Sequence, residues 1–262
     1  MGINSIKRKE MIWLAVASHG EVSVAELVKR LGVSEVTVRR YLEELEKEGV
    51  LTRTYGGAVK NETRISPEFL LTEKSQRNLA EKKVIARAAV DLIQEGETIF
   101  LDSGTTILEV SRLLKERQFR LTVATTSLPA ASELFPVERI KVLLLGGFLR
   151  RELFDLFGPF SREELSRLTF NQAFLGVDGI SGQEGLTTTD SISALVEETV
   201  IKGSQKINIL ADHSKVGHIA LIPYGNIQGI TKTKRLITDS GAAPEELHNL
   251  KKMGLEVIVV KV

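Results

Sequence analysis

The sequence predicts an α/β protein in two parts: a small N-terminal helical module with a β-wing, and a larger domain built on a mostly parallel sheet covered by helices. Three observations predict it. Residues 33–58, VSEVTVRRYLEELEKEGVLTRTYGGA, read as a capped amphipathic helix followed by a short extended turn. From Thr98 onward, short β-rich apolar runs alternate with helical stretches, the pattern of a parallel sheet with helical crossovers. Between the two lies Val59–Pro67, polar, without apolar periodicity and ending in proline, which reads as a linker. The expected domains are 1–58, a linker over 59–72, and 73–262.

In the first part, a helix over Ile6–Ser18 would bury Met11, Ile12, Leu14 and Ala15, with Trp13 in its core. Ser23-Val24-Ala25-Glu26 has the form of a capping box, opening a second helix that Gly32 ends. Ser34 then caps a third, in which Val38, Leu42 and Leu45 recur at helical spacing. Val36, Thr37, Arg40 and Lys47 project oppositely, with Arg39 on the flank, and Gly49 stops the helix. Three short helices, the last two joined at a glycine, form a helix-turn-helix. Residues 50–57 make the wing, in which Gly56-Gly57 allow the return. The candidate DNA contacts are Ser34, Val36, Thr37, Arg39, Arg40, Arg53 and Tyr55, a mixture suited to base edges and phosphates in a major groove. Residues 1–57 hold nine basic and eight acidic side chains, so charge alone also admits a protein-binding module with solvated charges. The acids gather in the C-terminal half of the third helix, leaving its N-terminal half to enter a groove.

The stretch 33–58 resembles the helix-turn-helix and wing signature of the DeoR family of bacterial transcriptional repressors. That family's usual Arg-Arg-Asp-Leu and His-Gly-Gly-Ala stand here as Arg39-Arg40-Tyr41-Leu42 and Tyr55-Gly56-Gly57-Ala58.

Composition excludes several classes. The 262 residues are 42% hydrophobic and 26% charged, ordinary globular values, and the formal net charge of +1 argues against a generally basic or membrane-binding surface. With no cysteine there is no disulfide framework, thiolate metal site or thiol redox sensor. His19, His213, His218 and His248 share no metal-ligand spacing, and no cofactor is expected. No long apolar run or signal-peptide pattern is present, so the expected location is the cytoplasm.

The second part opens with a helical pattern from Glu73 to Gln94, carried by Leu79, Ile85, Ala89 and Leu92 and closed by Gly96. Strands are expected at Thr98–Leu101, Leu121–Ala124, Lys141–Leu145, Gln172–Gly176, Lys206–Ala211, Arg235–Thr238 and Glu256–Val260. Helices are expected at Ile107–Leu114, Leu128–Leu134, Ser191–Ile201 and Pro244–Met253. Ligands of such sheets sit beyond the carboxyl ends of the strands, and the endings here are small or polar. Asp102-Ser103-Gly104-Thr105-Thr106 would turn sharply at Gly104 and aim hydroxyls and helix-start amides at one place, an oxyanion site or else a plain capped turn. Thr125-Thr126-Ser127, Gly146-Gly147, Val177-Asp178-Gly179-Ile180, Glu184–Thr188 and Asp212-His213-Ser214-Lys215 follow. Lys215 would meet a phosphate, and Asp102 and Asp178 would accept from sugar hydroxyls. The candidate ligand set is Asp102, Ser103, Gly104, Thr105, Thr106, Thr125, Thr126, Ser127, Gly147, Asp178, Gly179 and Lys215. His213 reads as a surface histidine near that set, and Arg150, Arg151 and Glu152 as a solvated face from which an arginine could reach an anion.

LDSGTT, TTSLPAASEL, LLLGG, AFLGVDGI, GLTTTD and ADHSK are similar, in order and spacing, to the DeoR-type sensor domain, with Thr126 where that family often has asparagine. The sensor resembles the fold of ribose-5-phosphate isomerase and glucosamine-6-phosphate deaminase. The resemblance implies a repressor of a carbohydrate-metabolism operon, with double-stranded DNA and a phosphorylated sugar as partners and no membrane. A homo-oligomer, dimer or tetramer, is expected because one short module makes too few contacts for specificity. The alternative is a sugar-phosphate isomerase or deaminase with an appended DNA-binding module, since Asp102, Asp178 and Lys215 can transfer protons; no pattern fixes a base beside a substrate carbon.

Overall fold

The structure, a computed structural model, describes residues 8–9, 11–12, 15–16, 20–47, 51–60, 74–151 and 153–262. Leu14, Trp13, His19, Gly49, Glu152 and most of the expected linker lie outside them. The chain divides into two compact units, Met1–Lys74 and Ser75–Val262.

In the first unit, Arg8, Lys9, Met11, Ile12, Ala15 and Val16 are helical, and Ile12, Ala15 and Val16 are buried. Strand β1 (Glu21–Ser23) leads into helix α1 (Val24–Leu31) through a complete capping box between Ser23 and Glu26. Gly32 ends α1 in the left-handed region, its amide donating to Val28. Helix α2 (Glu35–Lys47) buries Val38, Tyr41, Leu42 and Leu45; Tyr41 falls on the expected stripe, one turn after Val38. The wing is β2 (Leu51–Arg53) and β3 (Gly57–Lys60). Val59 and Lys60 therefore belong to a strand, where the sequence reading began the linker. β1 adds itself to the wing antiparallel, giving the order β1-β3-β2. A Cβ on Gly57 would lie 1.9 Å from the Val22 carbonyl oxygen, so glycine is what lets β3 lie against β1.

The second unit is organised by seven parallel strands in the order β15-β14-β12-β9-β4-β5-β6. They are β4 (Thr98–Leu101), β5 (Leu121–Thr125), β6 (Ile140–Leu144), β9 (Phe170–Gly176), β12 (Ser204–Leu210), β14 (Thr233–Asp239) and β15 (Glu256–Val260). All seven expected strands are present, and they are those that build this sheet. Strand alternation sends Ile99 and Leu101 into one core with Ile85, Ala89, Ile107 and Val110, while Phe100 joins the other with Ala173, Leu175 and Val200. Helices α3 (Leu79–Val90), α4 (Thr105–Leu114) and α5 (Leu128–Leu134) supply the first core. The expected Glu73–Gln94 helix is interrupted: Asn78 adopts φ 52° before α3, and the helix ends at Val90. Helices α6 (Pro159–Ser166), α7 (Ser191–Gly203) and α8 (Pro244–Lys252) cover the other face.

Two small sheets were not legible in the sequence. β7 (Phe148–Arg150) and β8 (Asp155–Phe157) form a hairpin, and β10 (Gly179–Ser181), β11 (Gly185–Thr188) and β13 (Ile222–Gly225) an antiparallel triplet. Because the seven main strands run the same way, their carboxyl ends and these additions meet at one edge.

Candidate functional site

In the first unit, α2 presents Val36 at 78% exposure, with Arg39 and Arg40 exposed and Thr37 half-buried. Ser34 is used locally: its hydroxyl accepts the Thr37 amide (3.3 Å), which caps the helix. Arg39 pairs with Glu35 (2.7 Å), and Arg40 lies 3.7 Å from Glu44 and over the Tyr41 ring. The acidic half of α2 is neutralised in place. Lys47 meets Glu43, Lys9 meets Glu44, and Arg53 donates from its amide and guanidinium to Glu46. Arg53 thus ties the wing to α2, while Tyr55 at the wing tip is fully exposed.

In the second unit, β4 ends beside β9, where the Asp102 amide donates to Phe174. The buried Asp102 carboxylate accepts the Ser103 amide (2.7 Å) and the Gly176 amide (3.0 Å), fastening two neighbouring strand ends. Burial pushes its pKa up to about 6, with Asp155 adding to the rise. Gly104 sits at φ −149°, ψ 160°, extended backbone open to any residue, so the expected glycine turn is not what shapes the loop. No side chain caps α4, which removes the plain capped turn as the reason for Ser103 or Thr105. Ser103 instead donates to Asp155 (2.7 Å), and Thr106 is buried.

Just beyond the neighbouring strand β9, the Asp178 carboxylate accepts the Thr189 amide (2.9 Å) and hydroxyl (2.8 Å), and Lys215, which follows β12, stands 3.9 Å from it. Gly179 is needed for close approach: a Cβ there would lie 2.4 Å from the His218 carbonyl. The buried Lys82 of α3 and Lys215 are near enough to repel, and desolvation followed by Asp212, Lys215 and Arg77 sets the Lys82 pKa, lowered overall. Asp212 accepts from Asn78 (3.0 Å) and Ser214, and His213 is held by Asp239 (2.9 Å).

Other expected residues are not brought to this place as free groups. Thr125 accepts the Ser127 amide (3.0 Å), and Ser127 caps α5 by accepting the Ala130 amide (3.2 Å). The hairpin covers this segment, Leu156 donating to the Thr126 carbonyl and Leu128 to Phe154. Gly147 is exposed at the hairpin's start. Arg150 corrects the solvated-face reading: its side chain is 11% exposed, donates to Asp155 (2.8 Å), Asp190 and Ser193 (3.1 Å), and so joins the hairpin to the start of α7. Sequence reasoning also missed Glu197 and Tyr224, both buried beside Asp102 and Asp178. The only available signal for Glu197 was its spacing of four residues from Ser193 on one helix.

A helix-turn-helix with a wing, followed by a parallel-sheet domain with a polar strand-end site, defines a two-domain DNA-binding regulator. Residues 8–64 match the DeoR-like helix-turn-helix domain and residues 77–240 the DeoR C terminal sensor domain. The chain belongs to the DeoR family of transcriptional regulators, and is not an enzyme of the isomerase or deaminase kind. It is 36% identical to the lactose phosphotransferase system repressor of Staphylococcus epidermidis over 82% of this chain and 85% of that one. It is 32% identical to the regulator GlpR of Haloferax volcanii over 96% of each, and 31% identical to the repressor CsqR of Escherichia coli K12 over 96% of this chain and 94% of that one. Ribose 5-phosphate isomerase A of Methanocaldococcus jannaschii matches 53% of this chain and 54% of its own at 22% identity and a TM-score of 0.40. Among the described residues, no helix is long and apolar enough to cross a membrane.

Proposed function

We propose that the chain is a cytoplasmic repressor of a carbohydrate-metabolism operon, released or engaged by a phosphorylated sugar bound at the carboxyl edge of the seven-stranded sheet. One observation carries this reading: a helix start without a side-chain cap at Thr105, a lysine at position 215 and the carboxylates of Asp102 and Asp178 share that edge. Backbone amides and an ammonium suit a phosphate, and carboxylates suit hydroxyls. Ser34, Val36, Thr37, Arg39, Arg40, Arg53 and Tyr55 form the proposed DNA surface, doubled in a homo-oligomer so that paired modules read paired half-sites. Effector and operator are coupled if the effector binds the DNA-competent and DNA-incompetent states with different affinity.

The test is a thermal-shift screen of the purified chain against phosphorylated sugars, followed by operator titrations with each hit. A hit raises the melting temperature by mass action and changes operator affinity, while Lys215→Ala loses the shift and keeps operator binding. A hit that leaves operator affinity untouched would sink the coupling, and turnover of the compound would revive the enzyme alternative.

A further inference from the structure

Among the described residues of the first unit, two large apolar side chains stand exposed: Tyr55 at the wing tip and Val36 on α2. Val36 is 78% exposed and sits in the first turn of that helix. Packing does not account for it, since α2 buries Val38, Tyr41, Leu42 and Leu45 instead. Helix formation does not account for it either. A β-branched side chain loses rotamer freedom against the preceding turn, and alanine, glutamate or lysine would form helix better at a solvent-facing position. A lone exposed valine is ordinary on most surfaces. This one, however, begins the second helix of the helix-turn-helix domain, the helix whose N-terminal residues meet base edges in a major groove.

Its neighbours narrow what it can meet there. Arg39 and Arg40 follow Val36 by three and four residues and so share its face. The hydrogen-bonding side chains around it have internal partners. Ser34 and Thr37 share a hydrogen bond (2.8 Å), Arg39 pairs with Glu35 (2.7 Å), and Arg40 lies 3.7 Å from Glu44 and 5.3 Å from the centre of the Tyr41 ring. The arginines can trade these exposed pairs for phosphates or guanines. Val36 has only methyl groups to offer. On the major-groove edges of the bases, the apolar group is the C5-methyl of thymine; cytosine lacks it, and the purines turn a polar N7 to the groove.

We propose that Val36 is a specificity-determining residue of the DNA surface, packing its methyl groups on the C5-methyl of a thymine, so that the operator carries thymine at that position. This rests on assigning the Val36–Arg40 face of α2 to DNA. Discrimination comes from burial: one methyl withdrawn from water against the valine is worth about fourfold in affinity.

The experiment uses duplexes selected by the full chain from a random, unmodified pool and titrated by fluorescence anisotropy at fixed salt. Each thymine is replaced in turn by deoxyuridine, which keeps every hydrogen-bonding group and removes only the C5-methyl. At one thymine or more, wild-type affinity is expected to fall about fourfold per methyl removed. Val36→Ala, which withdraws both γ-methyls, is expected to bind the thymine and uracil versions of that position equally. Its melting temperature should be no lower than wild type, because alanine is the better helix former. If no uracil replacement weakens binding, or if every sensitive position stays as sensitive in Val36→Ala, the inference falls while the assignment of α2 to DNA stands. If Val36→Ala and Arg40→Ala both leave affinity for the selected duplexes unchanged, or if no duplex is enriched, both fall.

Discussion

The arginines of the two units live under opposite rules. Arg39 and Arg40 sit on the outside of α2 in exposed i,i+4 pairs with Glu35 and Glu44. Arg150 is enclosed between Asp155 and Asp190. Exposed pairs are worth roughly 0–1 kcal/mol, little enough to give way to a phosphate on the proposed DNA surface. A buried pair is different: removing one partner strands a charge away from water. The lesson is that the ion pairs on α2 are cheap to break, whereas those at the sheet edge hold the structure together.

The largest break in that contrast is expected from Arg150→Ala. It leaves Asp155 and Asp190 uncompensated and should cost about 3–5 kcal/mol of stability, read as a lower urea midpoint. A loss no larger than that of Arg39→Ala would mean that Arg150 is a surface residue after all.

Next is Asp102, whose raised pKa makes its ionisation a burden on the folded state. The sign follows from proton counts: between its ordinary pKa and about 6, the folded chain holds the proton that the unfolded chain has released. This contribution therefore weakens the fold as pH rises through that window. Asp102→Asn cannot ionise, so whatever constant cost attends its altered contacts, its stability relative to wild type should improve by about 2 kcal/mol from pH 4 to pH 7. Denaturant curves at both pH values measure it, and a pH-independent difference would remove Asp102 from the buried acids.

Arg40→Ala should weaken operator binding by about 1–3 kcal/mol with little change in thermal stability, followed by fluorescence anisotropy at fixed salt. Unchanged operator affinity would mean that the wrong face of α2 was assigned to DNA. The smallest effect is expected from Glu35→Gln. Freeing Arg39 should tighten operator binding by about two- to fivefold, the reach of one exposed pair, with no resolvable shift in the melting temperature. Weaker binding would show that Glu35 positions Arg39 instead of competing for it.

The same division decided what could be read from the sequence. The seven main strands were legible because strands buried on both faces are continuous apolar runs such as Ile99-Phe100-Leu101. The capping box at Ser23 and the stop at Gly32 were legible because they act within a few residues. The triplet β10-β11-β13 was not, since GIS and GLTT are short and rich in small or polar residues. Nor was Arg150: Leu149-Arg150-Arg151 gives no hint that one arginine turns inward to carboxylates five and forty positions away. Thr125 and Ser127 have the right chemistry for a ligand, and each hydroxyl also accepts a backbone amide of the local turn, which their sequence does not announce. Asp102 and Asp178 could be placed at the carboxyl edge of the sheet because each follows the end of a main strand. Glu197 was missed because nothing local marks a mid-helix glutamate as buried.

The strand order has a consequence for the chain while it is being made. β4, the first of the seven to leave the ribosome, pairs on one side with β5 but on the other with β9. Until Phe170–Gly176 has been synthesised, an apolar strand destined for the middle of the sheet stands with one backbone edge open. Interrupted translation products ending near the β7–β8 hairpin would carry that open edge permanently. They should self-associate or be captured by chaperones far more than products that extend past β9.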